Sequence, residues 1–289
     1  MRKGKKMLAI IVGVLFVLIG GIVIFESIAY SPLKSEFNTD LSKLIKSNSL
    51  GASGEVFSES DFADMPEQIV GYIRHCGYIG TPKMSYIKLV LNRAKFIQNG
   101  MEMRINYTQY DFAAQPERLA LIETSKMGIP FMGYDSLING KGGMKGVLGK
   151  AITLFNQTGK EMDTACLVTL LADSPVLPGI WLQDYVTFEE LDANRVQASL
   201  TYKDMTVSGI FAFNEAGEIT KFTTDDRAMV YPDGRIEYWP WTTVYEDYKD
   251  NGDGVLLPYH LKAIWNYADG DLVYFDGVVD QIAYGKSGD

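Results

Sequence analysis

The first 25 residues constrain this chain more than any other segment. A short basic run leads into an apolar stretch, Met7–Phe25, which is 19 residues long and contains neither a charge nor a proline. At about 1.5 Å per residue, a helix of this length covers roughly 28 Å, close to the hydrocarbon thickness of a bilayer. The stretch has no polar face, which argues against a buried core helix. The sequence therefore predicts a membrane-spanning helix over Met7–Phe25, with the lipid bilayer as its partner.

The charges beside this stretch predict its orientation. Basic residues flank the apolar stretch only on its N-terminal side, and they are Arg2, Lys3, Lys5 and Lys6. The positive-inside bias then keeps the N-terminus cytoplasmic and places the rest of a single-pass protein outside the cell membrane. An uncleaved anchor is favoured, because the apolar region of a secretory signal is only about 7–15 residues long. Removal at the small-residue sequence Ser27–Ala29 is the alternative.

Composition divides the chain into three parts. Residues 1–26 are predicted to form the basic tip and anchor, polar residues 27–60 a stalk with a short helix over Thr39–Lys46, and residues 61–289 a β-rich extracytoplasmic domain. Beyond Lys6 the chain has 23 basic and 36 acidic side chains, a net charge of −13. Such a body repels phosphate backbones, so nucleic acid is not an expected partner. No feature identifies a protein partner.

Alternating polarity and regular turn signals predict many strands. Val196, Ala198, Leu200 and Tyr202 alternate with polar residues, a period of two that gives a strand one buried and one solvated face. Glycine and proline separate this segment from others of the same kind. The predicted strands are Met84–Ile97, Met101–Phe112, Arg118–Lys126, Phe131–Ile138, Gly143–Phe155, Arg195–Lys203, Val207–Asn214, Ile219–Val230, Ile236–Tyr248, Leu256–Tyr267 and Leu272–Tyr284.

Helices are predicted only at the start of the body and in its middle. The first follows Pro66 and ends near Gly77, and the second covers Lys160–Ala172 before a turn near Trp181. No long helix separates the strands, so parallel βαβ construction is excluded, and the fold class is mainly β, with an antiparallel meander. Cys76 and Cys166 fall on apolar helical stripes, which favours two buried thiols. A disulfide is the alternative in an extracytoplasmic compartment.

The motifs that resemble metal or phosphate sites do not meet the requirements of such sites. In the loop Asp250–Gly254, taking Gly254 as the sixth position of a calcium loop leaves Lys249 and His260 where carboxylate ligands are needed. The glycine-rich segment 140–146 lacks the spacing of a phosphate loop, and the two histidines are far apart in sequence. The sequence predicts no cofactor, no metal and no catalytic residue.

The most aromatic stretch of the chain lies between residues 238 and 248. In a strand, Trp239, Trp241 and Tyr245 share one face, which suits either plain packing or a wall that contacts a hydrophobic ligand. Asp226 and Arg227 form part of a charged turn that makes either an ion pair or a functional site. The candidate ligand-binding residues are Trp239, Trp241, Tyr245, Trp181, Asp173, Asp226 and Arg227.

Several different short motifs follow one another in a characteristic order along the body. They are Ile69–Arg74, Cys76–Gly80 with Pro82, Asp135, Gly140, Gly143–Met144, Asp225–Arg227, Trp239–Trp241, Asp247–Tyr248, Gly252, Gly254, Pro258 and Ala263–Trp265. This order resembles a family of uncharacterised, membrane-anchored bacterial proteins with a domain of unknown function. Family members tend to carry Arg and Glu with an aromatic-Pro pair in the middle helix. Here the Arg is absent and Asp173 stands in the position of the Glu.

The layout is also similar to that of outer-membrane lipoprotein carriers. That resemblance implies a strongly curved, half-barrel-like antiparallel sheet with helices inserted mid-chain on its concave side, and fold alone does not fix function. The favoured hypothesis is an extracytoplasmic protein that binds or carries a lipid or acyl chain in such a sheet. A protein-interaction or sensor domain without a small ligand is the alternative. A hydrolase that uses Asp173, Asp225 and Asp226 is a further one.

Overall fold

The computed structural model describes residues 2–28, 30–49, 54–98, 100–126, 128–231 and 233–285. Its helices are α1 (Arg2–Ser27), α2 (Pro32–Ser49), α3 (Glu67–His75) and α4 (Lys160–Asp173), with 3-10 turns at Glu59–Phe62, Ser174–Val176 and Pro178–Ile180. Its strands are β1 (Tyr86–Gln98), β2 (Met101–Phe112), β3 (Glu117–Lys126), β4 (Ile129–Ile138), β5 (Lys141–Leu148), β6 (Ile152–Thr158), β7 (Val186–Asp192), β8 (Arg195–Tyr202), β9 (Met205–Phe213), β10 (Ile219–Thr224), β11 (Ala228–Val230), β12 (Ile236–Tyr238), β13 (Trp241–Asp250), β14 (Leu256–Tyr267), β15 (Gly270–Val278) and β16 (Gln281–Gly285).

Fourteen strands form one antiparallel sheet, and the predicted fold class is confirmed. The order is β6-β5-β4-β3-β2-β1-β15-β14-β13-β10-β9-β8-β7, with β16 beside the first half of β1, and β11 and β12 form a separate hairpin. The sheet is not closed, because β6 and β7 end the path. Helix α4 nevertheless packs on both β5 and β9, which lie far apart along this path. The sheet must therefore curve strongly around α4, as the twist of antiparallel strands allows.

The concave side of the sheet holds the main core. One face of α3 is fully buried there through Ile69, Tyr72 and Ile73, and α4 buries nearly all of its apolar residues. Gly77 ends α3 with a φ of +76°, and a Cβ at this position would lie 2.5 Å from the carbonyl oxygen of Gly254. Cys76 and Cys166 are both buried free thiols, and burial raises the pKa of Cys76 to about 12.

Helix α2 corrects the expectation of a polar stalk. The helix predicted over Thr39–Lys46 extends over Pro32–Ser49 and packs on the convex face of β3, β4 and β5. Leu33, Phe37 and Leu44 are nearly inaccessible to solvent against this face. Their spacing of four and seven residues forms an apolar stripe that the Ser- and Asn-rich composition concealed. Phe57 and Phe62 are also buried, so the folded body begins before residue 61.

Several predicted strands are interrupted, each for a local reason. The segment Gly143–Phe155 is a hairpin, because Gly149 and Lys150 both have positive φ and form a tight turn. The segment Ile236–Tyr248 is broken at Pro240, which has no N–H for the ladder. The segments Ile219–Val230 and Leu272–Tyr284 each divide into two strands as well, and strand β7 was not predicted.

Helix α1 contains the apolar stretch. Among the described residues, one helical segment, Lys5–Phe25, is long and apolar enough to cross a membrane. The possible cleavage sequence ends at Ala29, which lies outside the described residues. The protein therefore has one N-terminal apolar helix followed directly by α2 and the curved sheet.

Candidate functional site

The curved sheet encloses a cavity of about 440 Å³ on its concave side. Strands β1–β6 and β13–β15, helix α4 and strand β11 all contribute to its wall. The lining is mainly aliphatic and aromatic, and it reaches the protein surface at Gly100 in the turn between β1 and β2. Its volume lies within the range of about 300–1,000 Å³ that is typical of sites for small molecules.

Two tryptophans form the aromatic wall of the cavity. Trp241 on β13 and Trp265 on β14 lie directly opposite each other in the antiparallel ladder, so both side chains are on the concave face. The Trp241 Nε1 donates a hydrogen bond of 3.1 Å to the hydroxyl of Tyr274, whose ring stacks on Trp265 with centroids 6.0 Å apart. The indole planes are thus fixed by packing and by a satisfied N–H.

The guanidinium of Arg227 lies over both tryptophan rings. Its central carbon is 4.7 Å from the centroid of Trp241 and 5.3 Å from that of Trp265, which is cation–π geometry. Its Nε donates a hydrogen bond of 3.4 Å to the hydroxyl of Thr169 on α4. No carboxylate among the described residues lies within ion-pair distance of this guanidinium. Arg227 therefore brings a positive charge and spare N–H donors into a largely apolar cavity.

A buried polar network forms another part of the wall. Arg118 on β3 is almost inaccessible to solvent and donates to the Asp135 carboxylate at 2.6 Å and to the Tyr107 hydroxyl at 3.0 Å. The amide nitrogen of Gln109 donates to both Asp111 and Asp173, at 2.5 and 2.8 Å. The thiol of Cys166 on α4 lies 3.5 Å from Asp135. The network therefore joins strands β2–β4 to the helix inside the sheet.

Strand register explains why these polar groups meet. Asp111 and Arg118 are direct cross-strand partners in the β2–β3 hairpin, and Ala120 pairs with Asp135 on β4. Residues 109 and 111 share the concave face because side chains alternate along a strand. The Nε of Arg118 and one oxygen of Asp111 remain 3.7 Å apart and have no other hydrogen-bond partner in the described part of the chain.

Burial sets the electrostatics of this network. It raises the pKa of the Asp111 carboxyl, with repulsion from Asp173 adding to the effect and Arg118 opposing it. Burial likewise raises the pKa of Asp173, again opposed by Arg118. Two carboxyls close together in a low-dielectric site cannot both ionise freely. These two carboxyls therefore keep their protons to higher pH than ordinary carboxyls do.

The structure brings four of the seven candidate residues to the cavity. Trp241, Tyr245, Asp173 and Arg227 all line it. Tyr245 presents its ring to the cavity while its hydroxyl donates to the carbonyl oxygen of Ala172 at 2.5 Å. The residues gather because β13 and the C-terminal end of α4 face each other across the concave side.

The other three candidates lie elsewhere. Trp181 is in the dry core, where its Nε1 donates to Ser174 at 2.7 Å. Trp239 precedes the break at Pro240 and packs edge-on against Tyr267 outside the cavity lining. Asp226 accepts hydrogen bonds from the backbone N–H and the hydroxyl of Ser208 on β9, at 2.7 and 3.0 Å.

Sequence reasoning missed Trp265 and the polar network. The signal for the network was the alternation of Tyr107, Gln109 and Asp111 on one face of a strand whose partner strand opens with an arginine. Polar residues on the face expected to be buried indicate a paired internal network rather than a solvated strand.

The acidic loop and the histidines have structural roles. Asp250 accepts hydrogen bonds from the backbone N–H groups of Gly252 and Gly254, which makes a tight turn. His260 lies between Glu246 and Asp276, far from His75. Within the described ranges, the structure assembles no group of three or more His, Cys, Asp or Glu side chains that suits a metal ion.

Comparison with known proteins places the chain in a family. A protein-family model described as "Family of unknown function (DUF6544)" matches residues 55–277, which confirms the predicted resemblance to an uncharacterised family. No curated protein matches the sequence. The fold is similar to the crystal structure of a DUF1329 family protein from Desulfovibrio piger ATCC 29098, with 8% identity, a TM-score of 0.41, and coverage of 80% of this chain and 94% of that chain.

A second solved structure is similar over a shorter length. It is an outer membrane lipoprotein-sorting protein domain from Vibrio parahaemolyticus, with 9% identity, a TM-score of 0.31, and coverage of 70% of this chain and 84% of that chain. Both similarities are too remote to carry a functional argument. Function has to be inferred from the site.

Proposed function

The chain belongs to the DUF6544 family, whose function is unknown, and we propose that it is a membrane-anchored protein that binds a lipid-like amphiphile inside its curved sheet. The observation that carries the proposal is the cavity of about 440 Å³, with its apolar walls and its few convergent polar groups. A site of this kind favours a ligand with an apolar body and a small polar end.

The apolar walls supply the driving force for binding. Aliphatic residues of β1 and β14, such as Leu89, Leu91 and Leu261, line the cavity together with the indole rings of Trp241 and Trp265. Transfer of an acyl chain from water to such walls is favourable by roughly 25 cal/mol per Å² of buried apolar surface. A rigid aromatic wall also limits the ordering cost, because fixed rings lose little freedom when a ligand binds.

The polar groups supply orientation. Arg227 holds a guanidinium without a carboxylate partner over the aromatic wall, whereas Asp173 presents its carboxyl on the wall below α4. A ligand whose polar end met either group would bind in one direction only, since burying that end against Leu89 or Leu91 would leave it without hydrogen bonds. This arrangement supports an amphiphile over a plain hydrocarbon.

The apolar helix α1 supports a membrane location. Its segment Lys5–Phe25 is long enough to span a bilayer, and Lys5 and Lys6 lie at its N-terminal end. With this end in the cytoplasm, the curved sheet is extracytoplasmic and lies beside a bilayer, the source of lipid-like ligands.

The alternative of a carboxylate hydrolase has less support. Asp225 is exposed, Asp226 is engaged by Ser208, and only Asp173 of the three candidate carboxylates lines the cavity. A pair of carboxylates that share a substrate must converge on one point. The carboxyls that do come together, Asp111 and Asp173, are bridged by Gln109 within a structural network.

Tryptophan quenching by a brominated fatty acid tests the proposal. All four tryptophans lie in the body and none in α1, so the full chain in saturated-lipid nanodiscs is suitable. One double variant, Trp181→Phe with Trp239→Phe, retains only the cavity pair. The matched variant, Trp241→Phe with Trp265→Phe, retains only the pair outside it. We expect saturable quenching by dibromostearate in the first variant and little in the second, because bromine quenches on contact.

Equal quenching of the two variants would contradict binding in the cavity. Absence of quenching in both, with folding confirmed by circular dichroism, would contradict binding of this ligand class and favour an interaction or sensor domain. The variant without the cavity tryptophans retains Trp239, whose ring is half-buried outside the cavity. Quenching of Trp239 therefore reports bromine that partitions into the nanodisc without entering the cavity.

A further inference from the structure

The concave face of β4, β5 and β6 carries a strip of side chains that leads from the cavity to the end of α1. Met144 pairs with Asp135 and Gln157, and all three line the cavity. Two residues further along each strand, the same face carries Gly133, Gly146 and Phe155. Two residues beyond these on β4 and β5 it carries Phe131 and Leu148, and a β-bulge in β6 brings Ile152, three residues from Phe155, opposite Leu148. We name Phe131, Leu148, Ile152 and Phe155 the apolar strip.

Glycine at position 146 leaves room for an aromatic ring of the apolar strip. A Cβ at Gly146 would lie 2.4 Å from the ring of Phe155, so only glycine lets that ring lie flat on the sheet. The rings of Phe131 and Phe155 are neighbours, with centroids 6.4 Å apart. At the end of the strip, Ile152 keeps 60% of its surface exposed, and nearby Ile129 keeps 44%. A contiguous apolar surface of this kind on a folded protein indicates contact with another apolar phase.

Lys150 fixes the end of α1 at the same place. It lies in the β5–β6 turn, two residues before Ile152, and its side chain is buried. Its ammonium donates to the carbonyl oxygens of Phe25 and Ile28, at 3.2 and 2.6 Å, and lies 5.8 Å from the centre of the Phe25 ring. A lysine at this position satisfies carbonyl groups at the C-terminal end of a helix and complements the helix dipole.

We propose that the apolar strip lies on the surface of the bilayer in which α1 is anchored and is the path by which the ligand passes between bilayer and cavity. This inference rests on the proposed function and on the membrane anchor. Two steps of two residues along a strand cover about 13 Å. An acyl chain that moves over this distance stays in contact with Ile152, Phe155 and Met144 in turn, so its apolar surface is never fully exposed to water.

The connection of the apolar strip to α1 indicates that the strip contacts a lipid surface. A lipid surface needs no shape complementarity, only an exposed apolar patch at the height where the anchor leaves the bilayer. Lys150 joins the strip to the last turn of α1, and Tyr30, just beyond that turn, is an exposed aromatic residue of the kind found at membrane interfaces. The strip and the interface therefore lie at the same level.

Site-directed fluorescence on the full chain tests the docking of the strip. Ile152→Cys and Val278→Cys each receive an environment-sensitive fluorophore. The native Cys76 and Cys166 are buried and need not be removed. Val278 is the matched control, because it is 56% exposed and lies at the opposite end of its strand from the cavity opening. In liposomes with spin-labelled lipid, we expect strong quenching at position 152 and little at 278. Equal quenching at the two positions, or none at 152, would overturn the docking.

Transfer kinetics test the path separately. Ile152→Asp places a charge on the strip, and Val278→Asp places one on an equally exposed site away from it. We expect the first change to slow exchange of dibromostearate between the protein and vesicles at least tenfold, equivalent to about 1.4 kcal/mol in the barrier, and the second to leave it unchanged. Affinity at equilibrium stays the same in both.

The outcomes separate this inference from the proposed function. Unchanged exchange in Ile152→Asp, with binding intact, would overturn the path while the cavity remains a binding site. A wild-type protein that binds no dibromostearate would contradict the proposed function, and the fluorescence at position 152 would still report whether the strip lies on the bilayer.

Discussion

Trp181 and Trp241 are both buried and both have a satisfied indole N–H, but they differ in what covers their rings. Trp181 packs against Tyr72, Phe188 and Phe211, with ring centroids 5.6–6.2 Å apart and no space between them. Trp241 is covered on one face by the guanidinium of Arg227 and borders the cavity. Trp181 is therefore part of a filled core, whereas Trp241 is part of the cavity wall.

The difference teaches which aromatic residues stabilise the fold and which are available to a ligand. Burial alone does not separate the two tryptophans, since each is about 2% exposed or less. Neighbours do separate them, because the Trp181 ring packs against three other aromatic rings, whereas the Trp241 ring lies under a guanidinium and lines the cavity. The same distinction applies to two adjacent charged residues. Asp226 is engaged in hydrogen bonds to Ser208, whereas Arg227 lines the cavity.

The largest expected effect is on folding stability. Trp181→Ala leaves a cavity in a dry aromatic core and should lower the free energy of unfolding by about 3–5 kcal/mol. Trp241→Ala enlarges a cavity that already exists and loses fewer contacts, so it should cost about 2 kcal/mol less. Guanidinium chloride unfolding of the full chain in a mild detergent, followed by circular dichroism, measures both.

The reverse order would break the comparison. If Trp241→Ala were the more destabilising change, Trp241 would be a core residue and the cavity a packing defect. Trp181→Phe, which retains most of the ring volume, is the control for the loss of the Ser174 hydrogen bond alone.

A smaller effect is expected at the polar wall of the cavity, through Asp111→Asn. The unfolded chain loses the Asp111 proton near pH 4, whereas the folded chain keeps it to higher pH because burial raises the pKa. Above pH 4 the folded state binds more protons, so this carboxyl makes stability fall as pH rises. The variant removes that dependence, because an amide in this position does not titrate.

Unfolding at pH 5 and pH 8 measures this prediction. The wild type should lose at least about 1.4 kcal/mol more between these values than Asp111→Asn does, the equivalent of one pKa unit. Asp269→Asn, at an exposed carboxylate in the β14–β15 turn, is the control for the removal of one acidic group. An identical pH dependence in wild type and Asp111→Asn would show that Asp111 is ionised as readily in the folded as in the unfolded chain.

The smallest effect is expected at Asp226. Asp226→Ala removes two hydrogen bonds to Ser208 and should lower stability by about 1 kcal/mol, because both bonds are only partly buried. Dibromostearate quenching of Trp241 and Trp265 should not change. Loss of quenching together with retained stability would instead place Asp226 in the binding site.

The strand-rich body and its helices were predictable because they depend on local patterns. Period-two alternation located most strands of the sheet, and the spacing of Ile69, Tyr72 and Ile73 located α3. Helix α2 was predicted only in part, because its stripe of Leu33, Phe37 and Leu44 lies within a polar segment and has meaning only once the convex face of the sheet is known.

The site residues were predictable only where their spacing along a single strand determines which face of the sheet they share. Trp241 and Tyr245 share a face by parity, and both line the cavity. Trp239 was placed with them, but Pro240 breaks the strand and removes the parity argument. The Arg118 network depends on the register of three strands, and Asp135 reaches it only through the pairing of β4 with β3. Such pairings join positions that are distant in sequence.

The short connection between α1 and α2 limits how far the body can move from the end of α1. Four residues separate Ser27 from Pro32, and a flexible chain of that length reaches roughly 11 Å. Since α2 is itself fixed to the convex face, the body stays within about this distance of the end of α1. With α1 anchored in a bilayer, as proposed above, the body would move only by lateral diffusion in two dimensions, and an acceptor of the proposed ligand would have to come to the same membrane surface.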